Sequence, residues 1–282
     1  MMRPITCELI KNTVAKLAQK ANFSLRADVR GALQSAYTRE RDTRAKKILA
    51  AIIENARIAS KEKLAICQDT GLAVVFAEIG QEVHISGGSF TKAINEGIHL
   101  GYQKGYLRAS VVGDPISRGK PDFSPVIIHS EIVPGSKLRL TVLAKGFGCE
   151  NKGQVKMFNP TVEIDEIKKF IIDVVKIAGP DACPPYVVGV GIGGTQDYAC
   201  LLAKKALLKK ATSHRPQVTG QIGKLAQDLL TGINKLKIGP MGLGCKTTCL
   251  GVNIETYPTH IAGLPVAVNI SCHALRSAAK IL

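Results

Sequence analysis

The chain has 282 residues, 45% apolar and 21% charged, with no Trp, so it is expected to fold around an aliphatic core. No apolar run reaches the roughly 20 residues of a membrane span, and the N-terminus lacks the apolar stretch of a signal peptide. We therefore expect a cytoplasmic protein without a membrane partner. The net charge of +16 admits a nucleic acid, an acidic partner subunit or an anionic substrate.

Hydrophobic periodicity predicts a mixture of helices and strands. The predicted helices cover residues 5–20, 25–58, 90–104, 162–178, 195–211 and 216–234. The predicted strands cover residues 72–79, 185–190, 249–255 and 265–271, with two more in 126–144 that join at Pro134-Gly135. Ser24 is a predicted N-cap. The pattern indicates an α/β or mixed α+β fold, with a helical part over about residues 1–60 and an α/β part over about 61–282.

The basic surplus is concentrated near the N-terminus, where the first 60 residues carry 12 Lys or Arg against 5 Asp or Glu. These residues lie on predicted amphipathic helices and not in a low-complexity tail. That placement favours a solvated or partner-facing surface, and we expect no nucleic-acid partner. A basic metal- or nucleic-acid-binding module is the alternative from another class, and the lack of aromatic–basic clusters counts against it.

The eight cysteines form no short metal motif. Structural disulfides are not expected in a cytoplasmic chain of this size. No C-x-x-C occurs, and Cys245 and Cys249 lack a matching second pair, which argues against a zinc finger. By spacing alone, each cysteine is as well explained as a small buried hydrophobe.

Three of the cysteines nevertheless lie in polar loops at the ends of apolar runs, where functional sites tend to occur. The first loop is Cys67-Gln68-Asp69-Thr70-Gly71, the second begins Cys183-Pro184-Pro185, and the third is Ser271-Cys272-His273, which follows Thr259-His260 along the chain. An ordinary turn with an incidental cysteine remains the alternative for each loop taken separately.

Gly189, Gly191 and Gly194 match G-x-G-x-x-G between a predicted strand and a predicted helix. A dinucleotide site also requires an acidic residue about 20 positions further on, and residues 213–224 contain none. The motif is therefore weak evidence for a nucleotide. A helix N-terminus beside glycines still suits an anion such as a carboxylate.

Taken in order, several segments resemble the α subunit, or N-terminal domain, of class I fumarases and L-tartrate dehydratases. The matching segments are Cys67-Gln68-Asp69-Thr70-Gly71, Lys145-Gly146-Phe147-Gly148-Cys149-Glu150-Asn151-Lys152, Cys183-Pro184-Pro185, Gly191-Ile192-Gly193-Gly194-Thr195, the turn from Gly242-Leu243-Gly244 to Thr248, and Ser271-Cys272. The resemblance covers nearly the whole chain. It implies one α-type domain over residues 1–282 and a hydro-lyase that hydrates fumarate to (S)-malate, with conversion of L-tartrate to oxaloacetate as the alternative.

The resemblance also implies a cofactor. In that family three cysteines hold a [4Fe–4S] cluster whose fourth iron is open to substrate, and they correspond to Cys67, Cys183 and Cys272. A fully ligated structural site would leave no open iron, whereas three thiolates leave a Lewis acid for the hydroxyl and carboxylate of a small dicarboxylate. Since the chain ends soon after Cys272, we expect a separate β subunit, in a heterotetramer of two α and two β chains.

Five further positions correspond to the family's substrate-binding and catalytic residues. By resemblance, Gln68, Arg108 and Gly148 bind substrate, and Arg108 suits a carboxylate because its guanidinium can donate two parallel hydrogen bonds. Asp69 and His260 are the catalytic candidates, although the proton acceptor could come from the β subunit.

The sequence departs from the family at a few positions. Cys149 stands where Ser is usual, Phe147 where Gly is common, and Cys245 where Gly is frequent. We expect Cys149 to lie close to the substrate as an additional thiol.

Overall fold

The computed structural model describes residues 3–211 and 220–282. Its helices are α1 (Cys7–Phe23), α2 (Ala27–Arg39), α3 (Thr43–Glu62), α4 (Phe90–Lys104), α5 (Phe147–Glu150), α6 (Ile164–Ala178), α7 (Gln196–Ala206) and α8 (Gly220–Lys235). Its strands are β1 (Arg3–Thr6), β2 (Leu72–Gly80), β3 (Val83–Ser86), β4 (Ile127–Val133), β5 (Leu138–Lys145), β6 (Gln154–Phe158), β7 (Tyr186–Gly194), β8 (Cys249–Thr259), β9 (Leu264–Ser271) and β10 (Arg276–Ile281). The mixed α/β class is confirmed. Within the described residues, every helix is too short or too polar to cross a lipid bilayer.

The N-terminal helices differ from the prediction. The single helix predicted over residues 25–58 is two helices, because Asp42 starts a new one by accepting the Ala45 N–H at 2.8 Å. The prediction that Ser24 begins a helix is wrong. Ser24 ends α1, where its N–H donates to the Lys20 carbonyl oxygen. The predicted helix over 216–234 is α8, and its first four positions lie outside the described residues.

The chain divides into two compact units, and the first comprises Met1–Arg26, Asn55–Phe147 and Arg276–Leu282. Its main sheet has the order β10-β5-β2-β4, and its core joins that sheet to α1 and α4. The central strand β2 carries five consecutive buried residues at 73–77. Helices α1 and α4 can approach closely because Gly101 has no side chain. A Cβ at this position would lie 2.6 Å from the Ala15 carbonyl oxygen.

The second unit comprises Ala27–Glu54 and Gly148–Leu275. Its sheet has the order β6-β9-β7-β8, and its core includes α6 and α8. Helix α7 packs directly on β7, since a Cβ at Gly189 or Gly191 would lie 2.1 Å from the carbonyl oxygens of Ala203 and Ala199. These two glycines of the G-x-G-x-x-G pattern are thus required for helix–strand packing.

Strand directions within this second sheet decide which loops meet. Strand β9 runs antiparallel to β7, with Val187 opposite Ser271. The start of β7 and the end of β9 therefore lie at one edge of the sheet. Strand β8 runs parallel to β7, so the end of β8 lies at the opposite edge, with Thr259 beside Gly194.

Candidate active site

In the first unit, the loop of residues 67–71 connects α3 to β2 and is tied to Arg108. The buried Thr70 hydroxyl donates to the Arg108 carbonyl oxygen and accepts from the Arg108 N–H, both at 3.1 Å. Cys67 is half-buried, while Gln68 and Arg108 are exposed. The structure therefore brings a thiol, an amide and a guanidinium onto adjoining segments, with Arg108 anchored through its backbone.

Asp69 uses both carboxylate oxygens to hold backbone. Oδ1 accepts the Gly71 N–H and Oδ2 accepts the Phe147 N–H, each at 2.9 Å. Gly71 has φ +74°, and a Cβ there would lie 2.7 Å from the Lys145 carbonyl carbon. Only glycine satisfies both conditions, so the turn beside Cys67 has one defined path.

Three residues that sequence reasoning missed complete this network. Tyr102 donates its hydroxyl to the Thr70 carbonyl oxygen at 2.9 Å, and burial raises the pKa of Tyr102 to about 12. The buried Arg276 donates through Nη1 to the Asp69 carbonyl oxygen and to Asn22 Oδ1. Within the described chain, Arg276 Nε is buried without a hydrogen-bond partner. The sequence offers one signal for Arg276: it is a charged residue among small and apolar residues near the C-terminus.

In the second unit, Cys183 and Cys272 lie on adjoining loops, which we call the paired-cysteine edge: residues 182–185 before β7 and 271–273 at the end of β9. The backbone nitrogen and the ring Nδ1 of His273 lie 3.4 and 3.1 Å from the Cys183 carbonyl oxygen. Both cysteines are half-buried. Cys183 also has φ +56°, a left-handed conformation that costs a non-glycine residue about 1–3 kcal/mol.

Cys149 is buried beneath this edge, with only 6% of its surface exposed. Its Sγ accepts the Cys272 N–H at 3.1 Å and donates to the Ala182 carbonyl oxygen at 3.4 Å. The structure thus shows Cys149 as a buried thiol bonded to backbone, and its closeness to the substrate stays a prediction.

The other two predicted site residues of this unit are exposed. Gly148 precedes Cys149 in α5, and the nearest described atom to a Cβ built there is the Asp181 carbonyl oxygen at 4.0 Å. His260 follows β8 at the opposite edge of the sheet, where its Nδ1 accepts the Ala262 N–H. The nine residues of β7, eight steps of roughly 3.3 Å, separate the two edges by roughly 26 Å. Within this unit, His260 is thus not brought beside Cys183 and Cys272.

The predicted anion site at the start of α7 is filled by the chain itself. Asp197, in the first turn, accepts the Thr195 hydroxyl, and this bond and the Tyr198 N–H hold the pKa of its carboxyl below the usual range. A carboxylate already occupies the positive end of the helix.

Among the described residues, no group of three or more His, Cys, Asp or Glu side chains lies close enough to hold a metal ion. The donor chemistry can still be compared with an iron–sulfur cluster. Two half-buried thiols on adjoining loops fit two of the thiolate ligands that such a cluster takes.

Comparisons with known proteins show similarity over nearly the whole chain. The sequence profile of the family described as fumarate hydratase (fumerase) matches residues 11–280. A Methanocaldococcus jannaschii protein is 39% identical over 279 residues, covering 96% of each chain, and its name assigns it provisionally as L(+)-tartrate dehydratase subunit alpha. In Escherichia coli K12, a protein named L(+)-tartrate dehydratase subunit alpha is 28% identical over 273 residues, which is 95% of this chain and 88% of that protein.

The extent of these matches defines the protein as a hydro-lyase. More particularly, the chain belongs to the fumarate hydratase family, and the resemblance inferred from its sequence segments is confirmed.

Proposed function

We propose that the chain is the α subunit of a [4Fe–4S]-dependent hydro-lyase that reversibly hydrates fumarate to (S)-malate. The observation that carries the proposal is the family match over residues 11–280, which includes all three loop cysteines. Dehydration of L-tartrate to oxaloacetate is the second candidate, and it is supported by the names of the relatives. The two substrates differ by one hydroxyl group.

In this proposal Cys67, Cys183 and Cys272 hold the cluster. Their half-buried thiols suit ligands that must be shielded from oxidants while remaining open on one side. When bound, a cluster with three cysteine ligands supplies an open iron as a Lewis acid for the substrate hydroxyl and carboxylate.

In this proposal, residues of the first unit orient the substrate. The exposed Arg108 guanidinium clamps a carboxylate through two parallel hydrogen bonds, and Thr70 fixes the backbone from which it extends. Gln68 offers an exposed amide beside Cys67. Gly148, in the second unit, lacks a side chain and leaves space for the substrate.

Proton transfer is assigned by what each candidate already binds. Both oxygens of Asp69 accept backbone N–H groups, which favours a role in orienting the 67–71 loop over abstraction of the C3 proton. His260 remains a candidate acid–base group because its ring is exposed. The general base is otherwise expected on the β subunit.

The relatives' names specify subunit alpha, and we therefore propose a separate β subunit and a heterotetramer of two α and two β chains. The basic surface of the α chain, with a net charge of +16, would face an acidic β subunit or attract dianionic substrates.

The test is anaerobic reconstitution of the α chain with iron and sulfide, with and without the β subunit, followed by assays on malate and L-tartrate. We expect a brown protein that bleaches in air and turns over one of the two substrates only when β is present. A colourless protein with stoichiometric zinc, or full turnover by α alone, would contradict the proposal.

A further inference from the structure

The Cys149 thiol contacts both loops of the paired-cysteine edge. It donates to the carbonyl of Ala182, which directly precedes Cys183, and it accepts from the N–H of Cys272 itself. One buried sulfur atom thus bonds to the backbone of two segments that are 90 residues apart in sequence.

Cys149 is itself held in place by its neighbour. Glu150, the next residue of α5, accepts from Lys204 Nζ at 2.5 Å and from Asn269 Nδ2 at 3.1 Å. These bonds attach α5 to α7 and to β9. The thiol therefore extends from a fixed element, and displacement of either loop would break a bond to it.

The two bonds demand a group that donates and accepts at once. A thiol has one hydrogen to give and sulfur lone pairs to receive, and a serine hydroxyl has the same two capacities. Alanine has neither, so it would leave a half-buried N–H and a buried carbonyl without this partner.

We propose that Cys149 is a positioning residue that sets the spacing of Cys183 and Cys272 as cluster ligands. The inference rests on the proposed iron–sulfur function. The burial of Cys149, and the use of its sulfur by two backbone groups, distinguish it from a further ligand.

The test compares Cys149→Ala and Cys149→Ser with the wild type, each as the full chain with its β subunit. Cys249→Ala is the matched control, because Cys249 is equally buried in the same unit but donates to Gly251 within its own strand at 3.3 Å. Iron and sulfide content, the rate of iron loss to a chelator and the electron paramagnetic resonance spectrum are measured after anaerobic reconstitution.

Cys149→Ala is expected to speed iron loss by about tenfold or more, because removing a residue that orients metal ligands typically weakens metal affinity about 10–100-fold. Cys149→Ser is expected to restore slow loss, and Cys249→Ala to match the wild type. Equal rates in Cys149→Ala and the wild type would overturn the proposal. So would equally fast loss in the Ala and Ser variants, because serine keeps the capacity both to donate and to accept.

Hydrogen exchange in the cluster-free chain separates this proposal from the proposed function. The Cys272 amide is expected to exchange faster in Cys149→Ala and at the wild-type rate in Cys149→Ser. If the wild type takes up no cluster, the iron–sulfur function fails. Unchanged exchange in Cys149→Ala would instead show that Cys149 does not hold the two loops.

Discussion

The 67–71 loop and the paired-cysteine edge carry the same kind of residue but are held by different means. In the first unit, several separate side-chain hydrogen bonds hold the loop. They come from Thr70, Asp69, Tyr102 and Arg276. In the second, sheet register brings the loops together, His273 contacts the Cys183 carbonyl oxygen, and the buried Cys149 thiol bonds to the backbone of both loops. A distributed network loses part of its stability at each deletion, whereas loss of the Cys149 thiol would act on the spacing of two particular loops as well as on overall stability.

The largest effect is expected from breaking the turn of the 67–71 loop. Gly71→Ala should lower the free energy of unfolding by about 3 kcal/mol or more, because the new Cβ meets Lys145 backbone and φ is positive. Denaturant titration measures the loss. Gly87→Ala is the control, with φ +76° and no described atom within 4 Å of its Cβ, and it should lose only about 1 kcal/mol. Equal losses in the two variants would mean that the close approach at Gly71 is absent.

A smaller effect is expected from removing the hydroxyl that anchors Arg108. Thr70→Val keeps the shape but removes two part-buried hydrogen bonds to the Arg108 backbone, and should destabilise the fold by about 1–2 kcal/mol. Looser placement of Arg108 should raise KM more than it lowers kcat. Thr70→Ser retains the hydroxyl and should restore the wild-type KM. An unchanged KM in Thr70→Val would show that the Thr70 hydroxyl does not position Arg108 for substrate binding.

Tyr102 gives the network a pH dependence. Its pKa is raised from 10.0 to about 12 in the folded chain, chiefly by burial. Between those pH values the unfolded chain releases the proton while the folded chain keeps it, so stability falls as pH rises, by about 1.4 kcal/mol per pH unit from this group. Tyr102→Phe should remove that contribution and lower stability at neutral pH by about 1 kcal/mol. A slope unchanged by the substitution would contradict the assignment.

The smallest effect is expected at the paired-cysteine edge, as a difference in stability between two variants of Cys183. Cys183→Gly should be more stable than Cys183→Ala by about 1 kcal/mol, because glycine adopts φ +56° without strain. Both variants should lose the cluster. A thermal shift assay on the cluster-free chains compares them, and a more stable alanine variant would show that the left-handed conformation is not strained.

Local pattern predicted the long elements but not their pairing. Residues 72–79 and 90–104 were placed correctly because a continuous apolar run and an amphipathic repeat are local signals. The two strands predicted in 126–144 exist, yet they do not pair with each other, since β4 and β5 flank β2 on opposite sides. The four-residue strands β1 and β3 were missed because they are too short to show periodicity.

The candidate site was predictable where motifs mark it and unpredictable where tertiary contacts build it. The loops of Cys67, Cys183 and Cys272 stood out by composition and resemblance. The roles of Tyr102 and Arg276 depend on contacts between segments distant in sequence. The two bonds of Cys149 join loops that the antiparallel register of β7 and β9 brings together, and no local pattern encodes that register.

The most direct test of the account is the iron and sulfide content of single cysteine variants reconstituted without oxygen. The wild type should bind about four irons and four sulfides per chain, as a [4Fe–4S] cluster requires. Serine substitution at Cys67, Cys183 or Cys272 should each abolish a stable cluster, while Cys200→Ser, at an exposed position, should retain it. Full cluster content in any of the three variants, or its loss in Cys200→Ser, would contradict the ligand assignment.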